Sequence, residues 1–325
     1  RDDLKSLLAF STVSHLGLIT MLLGFGTEAA AVAAVFHIIN HATFKAALFM
    51  TAGIIDHEAG TRSIARLGGL RKLMPITFII GTVSALSMAG VAPLNGFLSK
   101  ELMLESASHA VWMGHPALIV TMATIGAMFS VCYSLRFIWQ VFFGPERHDY
   151  PHHPHDPGFG MWVGPGILAV LVVLIGLFPN QLAGWLVTAS ASAVTGGHPH
   201  PHFALWHGFT LALKLSQAAL LCGTLLLILN HRMIALRDMV WRPDGKRAFD
   251  AITRISTCLC ACITSRLTNG SMSRALAALT MTIVLCGLWA FSTGGYQGAT
   301  RPMLEITAVP LIGWAYSEAA GCSIV

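Results

Sequence analysis

Apolar residues run through this chain in blocks of about 20, and the polar residues between the blocks are gathered into short connections. Seven blocks stand out, at about 6–24, 30–55, 75–106, 116–143, 161–188, 204–230 and 274–292. A run of that length with few charges is what an α-helix needs to cross a hydrocarbon layer. The pattern therefore predicts an all-α polytopic membrane protein with about seven transmembrane helices. The third block is too long for one crossing and is interrupted by Gly90, Pro93 and Gly96. Proline removes a backbone donor and clashes with the preceding turn, so a discontinuous helix is expected, broken near 90–96. Such a break survives in a bilayer only where protein buries it or where it lines a wet cavity. The stretch 245–269 is different in kind. Phe249, Ile252, Ile255, Leu259, Ile263 and Leu267 recur at helical spacing among Arg247, Arg254 and Arg266, the pattern of an amphipathic helix lying on a membrane surface.

The connections carry a second signal. Numbering the two sides alternately places Arg62, Arg66, Arg71, Lys72, Arg147, Arg232, Arg237, Arg242, Lys246, Arg247, Arg254 and Arg266 on one side. The connections near 25–29, 107–115 and 189–203, on the other side, contain no Lys or Arg. The basic side is then cytoplasmic, and the separation supports the span count. Composition agrees: 54% of the 325 residues are hydrophobic and 11% charged, against about 25% charged in soluble domains. The net charge of +5 is accounted for by these loops and does not call for nucleic acid. The expected organisation is a core over 1–144, peripheral spans over 145–230, a cytoplasmic amphipathic segment over 231–273, a last span over 274–293 and a tail over 294–325. Arg1 rather than Met opens the chain and no signal-peptide pattern precedes the first block, so it reads as a piece of a longer one.

Several polar residues sit where only hydrocarbon is expected. In FHIINHATFKAALF, residues 36–49, His37, His41 and Lys45 are each four apart. They form one polar stripe, about 12 Å long, along the second helix. Lys5, Thr12 and His15 fall near one face of the first, and Lys100 follows the break, with Glu101 and Glu105 beyond it. An ionisable group at the bilayer centre costs about 2.5–3.5 kcal/mol on insertion scales. Histidine titrates near neutral pH, and burial disfavours the charged form of lysine. Three lysines and three histidines on three consecutive spans, one of them broken, are what a proton path requires. Arg136 and Tyr133, near a span end, and Lys214, inside the sixth block, are weaker signals, and His207 suits an interfacial anchor. The His/Pro-rich runs RHDYPHHPHDP (147–157) and HPHPH (198–202) read as solvated linkers on opposite sides. Cys258, Cys260 and Cys262 lack zinc-ligand spacing, and the seven cysteines read as packing residues. No hydrolase, P-loop or Rossmann motif is present, and no cofactor or metal is expected.

The stripes and the break share their wording with a known family. DDLKSLLAFSTVSHLGLI (2–19), AVFHIINHATFKAALFMTAGIIDHEAGTRSIARLGGLRKLMPI (34–76) and ALSMAGVAPLNGFLSKELML (85–104) resemble the antiporter-like membrane subunits shared by respiratory complex I and the Mrp cation/proton antiporters. HEAGTRSIARLGGLRKLMPITF, PLNGFLSKELML and ALWHGF (204–209) are most similar to the A-subunit branch of the Mrp antiporters. The resemblance extends, more loosely, through about residue 292, and the 294–325 tail departs from it. It implies inverted repeats, each with one broken helix, of which this chain carries the second. By match to the motif, Lys5 connects two half-channels, His37, His41 and Lys45 are central relay groups, and Lys100 is the terminal lysine, with His15, Glu101, Arg136 and Lys214 as secondary candidates. The implied protein is one component of a transporter, not an enzyme. It would move protons against a monovalent cation, Na+ first, in a hetero-oligomeric complex of the cell membrane. The alternative is a proton-pumping arm of complex I or a membrane-bound hydrogenase, whose local chemistry would be the same.

Overall fold

The computed structural model describes residues 2–111, 114–145, 147, 150–197, 199, 203–204, 208–229, 245–267 and 271–293. Arg232, Arg237, Arg242, His207, most of the HPHPH run and the 294–325 tail lie outside the described residues. The chain divides into two compact units, residues 1–240 and 241–325. The first unit contains α1 (Leu4–Gly24), α2 (Glu28–Ala59), α3 (Pro75–Ala89), α4 (Asn95–His109), α5 (Pro116–Ile138), α6 (Phe159–Leu177), α7 (Pro179–Leu182), α8 (Gly184–Thr195) and α9 (Leu211–Ile228). The second contains α10 (Gly245–Leu267) and α11 (Met272–Thr293).

Among the described residues, six helices are long and apolar enough to cross a membrane: α1, α2, α5, α6, α9 and α11. The shorter apolar α3, followed by α4, is the interrupted span, with the break at residues 90–94. The fold is all-α and polytopic, with one discontinuous helix. Boundaries follow local chemistry. Asp3 and Thr27 accept from the backbone N–H groups of Ser6 (2.7 Å) and Ala30 (3.3 Å), capping α1 and α2. Gly60 ends α2 in the left-handed conformation at φ 67°, which only glycine adopts freely. The block expected over 161–188 is shorter, because Pro179 starts a separate turn and α6 stops at Leu177. The sixth crossing likewise begins at Leu211 rather than near 204. In the second unit, α10 presents the expected stripe, with Phe249, Ile252, Ile255, Leu259 and Ile263 all exposed within that unit.

The first unit buries several ionisable groups beside its apolar core and leaves large apolar side chains on its surface. His15, His37, Lys45, Lys100 and Glu101 are buried, whereas Phe10, Val13, Ile79, Phe129, Ile167 and Leu221 are exposed. Lipid rather than water suits that outer surface, and polar groups find partners inside. The main core packs α1, α2, α3, α5 and α6 around Phe44, Leu48, Ile55, Met88, Phe137 and Phe142. A second cluster joins Val32 and Phe36 of α2 to Phe97 and Leu98 of α4, with Phe203 stacked on Phe36 at 4.3 Å. The last turn of α5 widens into a π-helix over Trp139–Phe143. The backbone N–H groups of Leu70 and Arg71 donate to the carbonyls of Val141 and Phe142 there, each at 3.3 Å.

The 147–157 run corrects the expectation of a solvated linker. Asp156 accepts from the Ile76 N–H (2.9 Å), the Thr77 N–H (3.0 Å) and the Thr77 hydroxyl (2.8 Å), so it caps α3. Tyr150 donates to the Gly68 carbonyl at 2.6 Å, and the Glu58 carboxylate meets His57 at 3.1 Å and His155 at 3.3 Å. The run is a strap across the helix ends, held by side chains that composition cannot pair. Asp156→Ala is expected to lower stability by about 1–2 kcal/mol, the size of a lost N-cap. Thermal unfolding in detergent measures this, and Asp156→Asn, which keeps one of the two acceptor oxygens, should recover part of the loss.

Candidate functional site

The site begins at the break. Freed backbone groups at a helix interruption need partners when no water can reach them. The Asn95 side chain accepts from Ser87 Oγ at 2.6 Å and donates to Thr43 Oγ1 at 3.0 Å, and Asn40 donates to the Asn95 carbonyl at 3.0 Å. The Gly96 N–H donates to Ser87 Oγ at 3.1 Å. Lys100 folds back over the gap and donates to the Ala89 carbonyl at 2.8 Å and to Ser130 Oγ at 3.0 Å. Its ammonium thus sits at the C-terminal, partially negative end of α3. Gly90, at φ 83°, makes the passage possible, since a Cβ there would lie 2.6 Å from Lys100 Cδ.

The histidines converge on the same place from other helices. His15 Nδ1 lies 2.9 Å from His37 Nε2, and His37 Nδ1 lies 2.9 Å from Ser99 Oγ, the neighbour of Lys100. The other nitrogen of His15 meets the Tyr133 hydroxyl at 3.0 Å. Tyr133 is three residues from Ser130 on α5, so α1, α2, α4 and α5 close a ring around these groups. The His41 ring lies 5.2 Å from that of His15 and edge-on to Phe44 at 5.6 Å. Lys45, one turn further along α2, donates to the Leu8 carbonyl at 3.1 Å and to the Ser11 hydroxyl on α1. Beyond Lys100, Glu101 is buried and faces Thr210 Oγ1 at 3.4 Å. Glu105 lines an open cavity of about 850 Å³ together with Glu28 and His109.

Residues 1–130 match the family model described as NADH:quinone oxidoreductase/Mrp antiporter, TM. The A/B component of a probable K(+)/H(+) antiporter of Rhizobium meliloti (strain 1021) is 50% identical over 261 residues, covering 78% of this chain and 26% of the relative. The A1 component of an Na(+)/H(+) antiporter of Staphylococcus haemolyticus (strain JCSC1435) is 43% identical, over 70% of this chain and 31% of that protein. The chain is similar to the A subunits of these antiporters. The fold agrees: a chain of the Mrp complex from Dietzia sp. DQ12-45-1b superimposes with TM-score 0.72 at 32% identity, covering 98% of this chain and 35% of that one. The chain therefore spans about a quarter to a third of the length of these relatives.

Within this A-subunit homologue the expected site residues fall into two groups. His37, His41, Lys45 and Lys100 are brought together, and His15, a secondary candidate, occupies the junction between them. Lys5 is elsewhere: it pairs with Asp56 at 2.8 Å, near the start of α1, with 41% of its side chain exposed. Arg136 donates to Asp2 at 2.7 Å and to Gln140 at 2.8 Å, alongside the Arg62–Asp3 pair, and helps anchor the same helix ends. Lys214 is exposed on α9 and does not join the chain of groups. Sequence reasoning missed Ser11, Ser99, Ser130 and Asp56, and discounted Tyr133. Hydroxyls in an apolar helix carry little signal, although the i, i+3 spacing of Ser130 and Tyr133 places both on one face of α5. Gly90→Ala is expected to destabilise the fold by about 1–2 kcal/mol through the left-handed conformation alone. It should also push Lys100 off the Ala89 carbonyl. Thermal unfolding in detergent and a structure of the variant check both.

Proposed function

We propose that this chain is a proton-conducting part of a monovalent cation/proton antiporter, a secondary transporter rather than an enzyme. The observation that carries the reading is the placement of Lys100 over the α3–α4 break, within one residue of a hydrogen-bonded chain of two histidines. Protons enter through the Lys45 region, pass the His15, His37 and His41 cluster and reach Lys100. Glu101, Glu105 and the open cavity beside them form the way out. Lys5, paired with Asp56, links this path to a neighbouring half-channel. Lys100 holds a proton while the Ala89 carbonyl and Ser130 accept from its ammonium, and gives it up when those acceptors withdraw. The charge on Lys100 then repels or admits the next proton. The domain limits drawn from the sequence remain part of this reading, with residues 1–144 as the conducting core.

The antiporter names of the relatives above support exchange against a monovalent cation. Those names include both Na+ and K+, and we take Na+ as the first substrate to test. The similarity to an Mrp complex supports a hetero-oligomeric assembly. The loop charges support the plasma membrane as location, with the basic connections cytoplasmic.

Lys100→Ala, in the protein assembled with its partners, should reduce cation-driven proton movement in everted vesicles to background while assembly is unchanged. Lys100→Arg should also fail, because guanidinium keeps its charge and does not release its proton. Near-normal transport by a well-assembled Lys100→Ala variant would leave the lysine as a structural cap of α3 and remove the reading.

A further inference from the structure

The part of this network that neither the sequence pattern nor the relatives' names assign is Tyr133. Its ring packs against the main apolar core, and its hydroxyl meets His15 at 3.0 Å while facing the hydroxyls of Ser14 and Ser130. Neutral imidazole has one donor and one acceptor nitrogen. His15 and His37 each use both nitrogens, so the bonds must run in one direction at a time. In one sense the Tyr133 hydroxyl donates to His15 Nε2, His15 Nδ1–H donates to His37 Nε2, and His37 Nδ1–H donates to Ser99 Oγ. Ser99 then donates to the Gly96 carbonyl at 3.3 Å. In the other sense Ser99 donates to His37, His37 to His15 and His15 to the Tyr133 oxygen, whose own O–H turns to Ser130 or Ser14. A proton delivered to one end and released at the other converts the first sense into the second, with one proton in, one out and no heavy-atom bond changed.

We propose that Tyr133 is a positioning residue of the relay, whose hydroxyl lets the His15–His37–Ser99 chain hold and exchange these two hydrogen-bond directions. The proposal rests on reading the chain as a proton path. Tyrosine suits the role because its hydroxyl both donates and accepts, and because α5 offers it a second partner three residues away, at Ser130, which already receives Lys100. The Tyr133 hydroxyl thereby ties the histidine chain to Lys100 through Ser130 of the same helix. The titratable groups facing His15 are His37, His41 and Lys45 from α2, Lys100 from α4 and Tyr133 from α5.

The test is Tyr133→Phe, which keeps the ring and removes only the hydroxyl, beside 3,5-difluorotyrosine at the same position, which keeps a hydroxyl of greater acidity. Proton movement in everted vesicles is measured across a pH series in both, with Lys100→Ala as reference. Tyr133→Phe should lose about fivefold in rate, the size of one hydrogen bond, and its pH profile should move. The difluorotyrosine protein should transport with a displaced profile. Wild-type rate and profile in Tyr133→Phe, with Lys100→Ala inactive, would overturn the role of Tyr133 and leave the relay standing. Normal transport by both Tyr133→Phe and Lys100→Ala would remove the relay and this proposal with it. If Tyr133→Phe assembles poorly, an undisplaced profile in the difluorotyrosine protein overturns the proposal on its own.

Discussion

The Lys100–Ala89 hydrogen bond sits at the point on which the other contacts depend. A helix broken inside hydrocarbon exposes carbonyls and N–H groups that no water can satisfy, and each unsatisfied group costs several kcal/mol. Here the Ala89 carbonyl takes the lysine, Ser87 and Asn95 take one another, and Asn40 and Thr43 of α2 bond the Asn95 backbone and side chain. Gly96 and Gly176 let backbones approach where any Cβ would strike Ser87 or Pro93, so α4 and α6 close tightly on the gap. The closure fixes the register of α4. With Lys100 committed to Ala89, its neighbour Ser99 is turned toward His37, and Glu101 toward Thr210 at the start of α9. The contacts that satisfy the break thus also set where the side chains next to Lys100 point.

A second set of contacts works at the membrane boundary. Asp2 with Arg136, Asp3 with Arg62 and Lys5 with Asp56 tie the start of α1 to α5, to the α2–α3 connection and to the end of α2. These pairs are partly exposed, where an ion pair contributes little to stability. Their geometric effect is larger. They hold the first turn of α1 in place, and therefore the rotation of α1 that brings Ser11 to Lys45 and His15 to His37 and Tyr133. The strap over 147–157 acts similarly on α3, since Asp156 sets where that half-helix begins.

Two physical classes of residue therefore divide the intramembrane polar groups. Asn40, Asn95 and Ser87 have partners that look after the backbone, and their hydrogen bonds are confined to the break. His15, His37, Ser99, Ser130 and Tyr133 include bonds to one another or to Lys100, and each can act as donor or acceptor.

The class, the discontinuous helix near 90–96, the stripe of His37, His41 and Lys45, the amphipathic helix near 245–269 and the likeness to Mrp A subunits were all legible along the chain. Each of these is a property of one segment: block length, a proline between glycines, a four-residue period, a run of matching words. Which segments meet was settled by packing. Packing put Lys5 out at Asp56, moved His15 from the margin to the junction, turned a His/Pro run into the cap of α3, and brought Ser130 and Tyr133 of α5 against Lys100 and His15. Periodicity reports which face of a helix a residue occupies, but not which helix that face meets. A serine or tyrosine in an apolar span looks the same whether it bonds its own preceding turn or a lysine on another helix, and only the packed bundle supplies that distance.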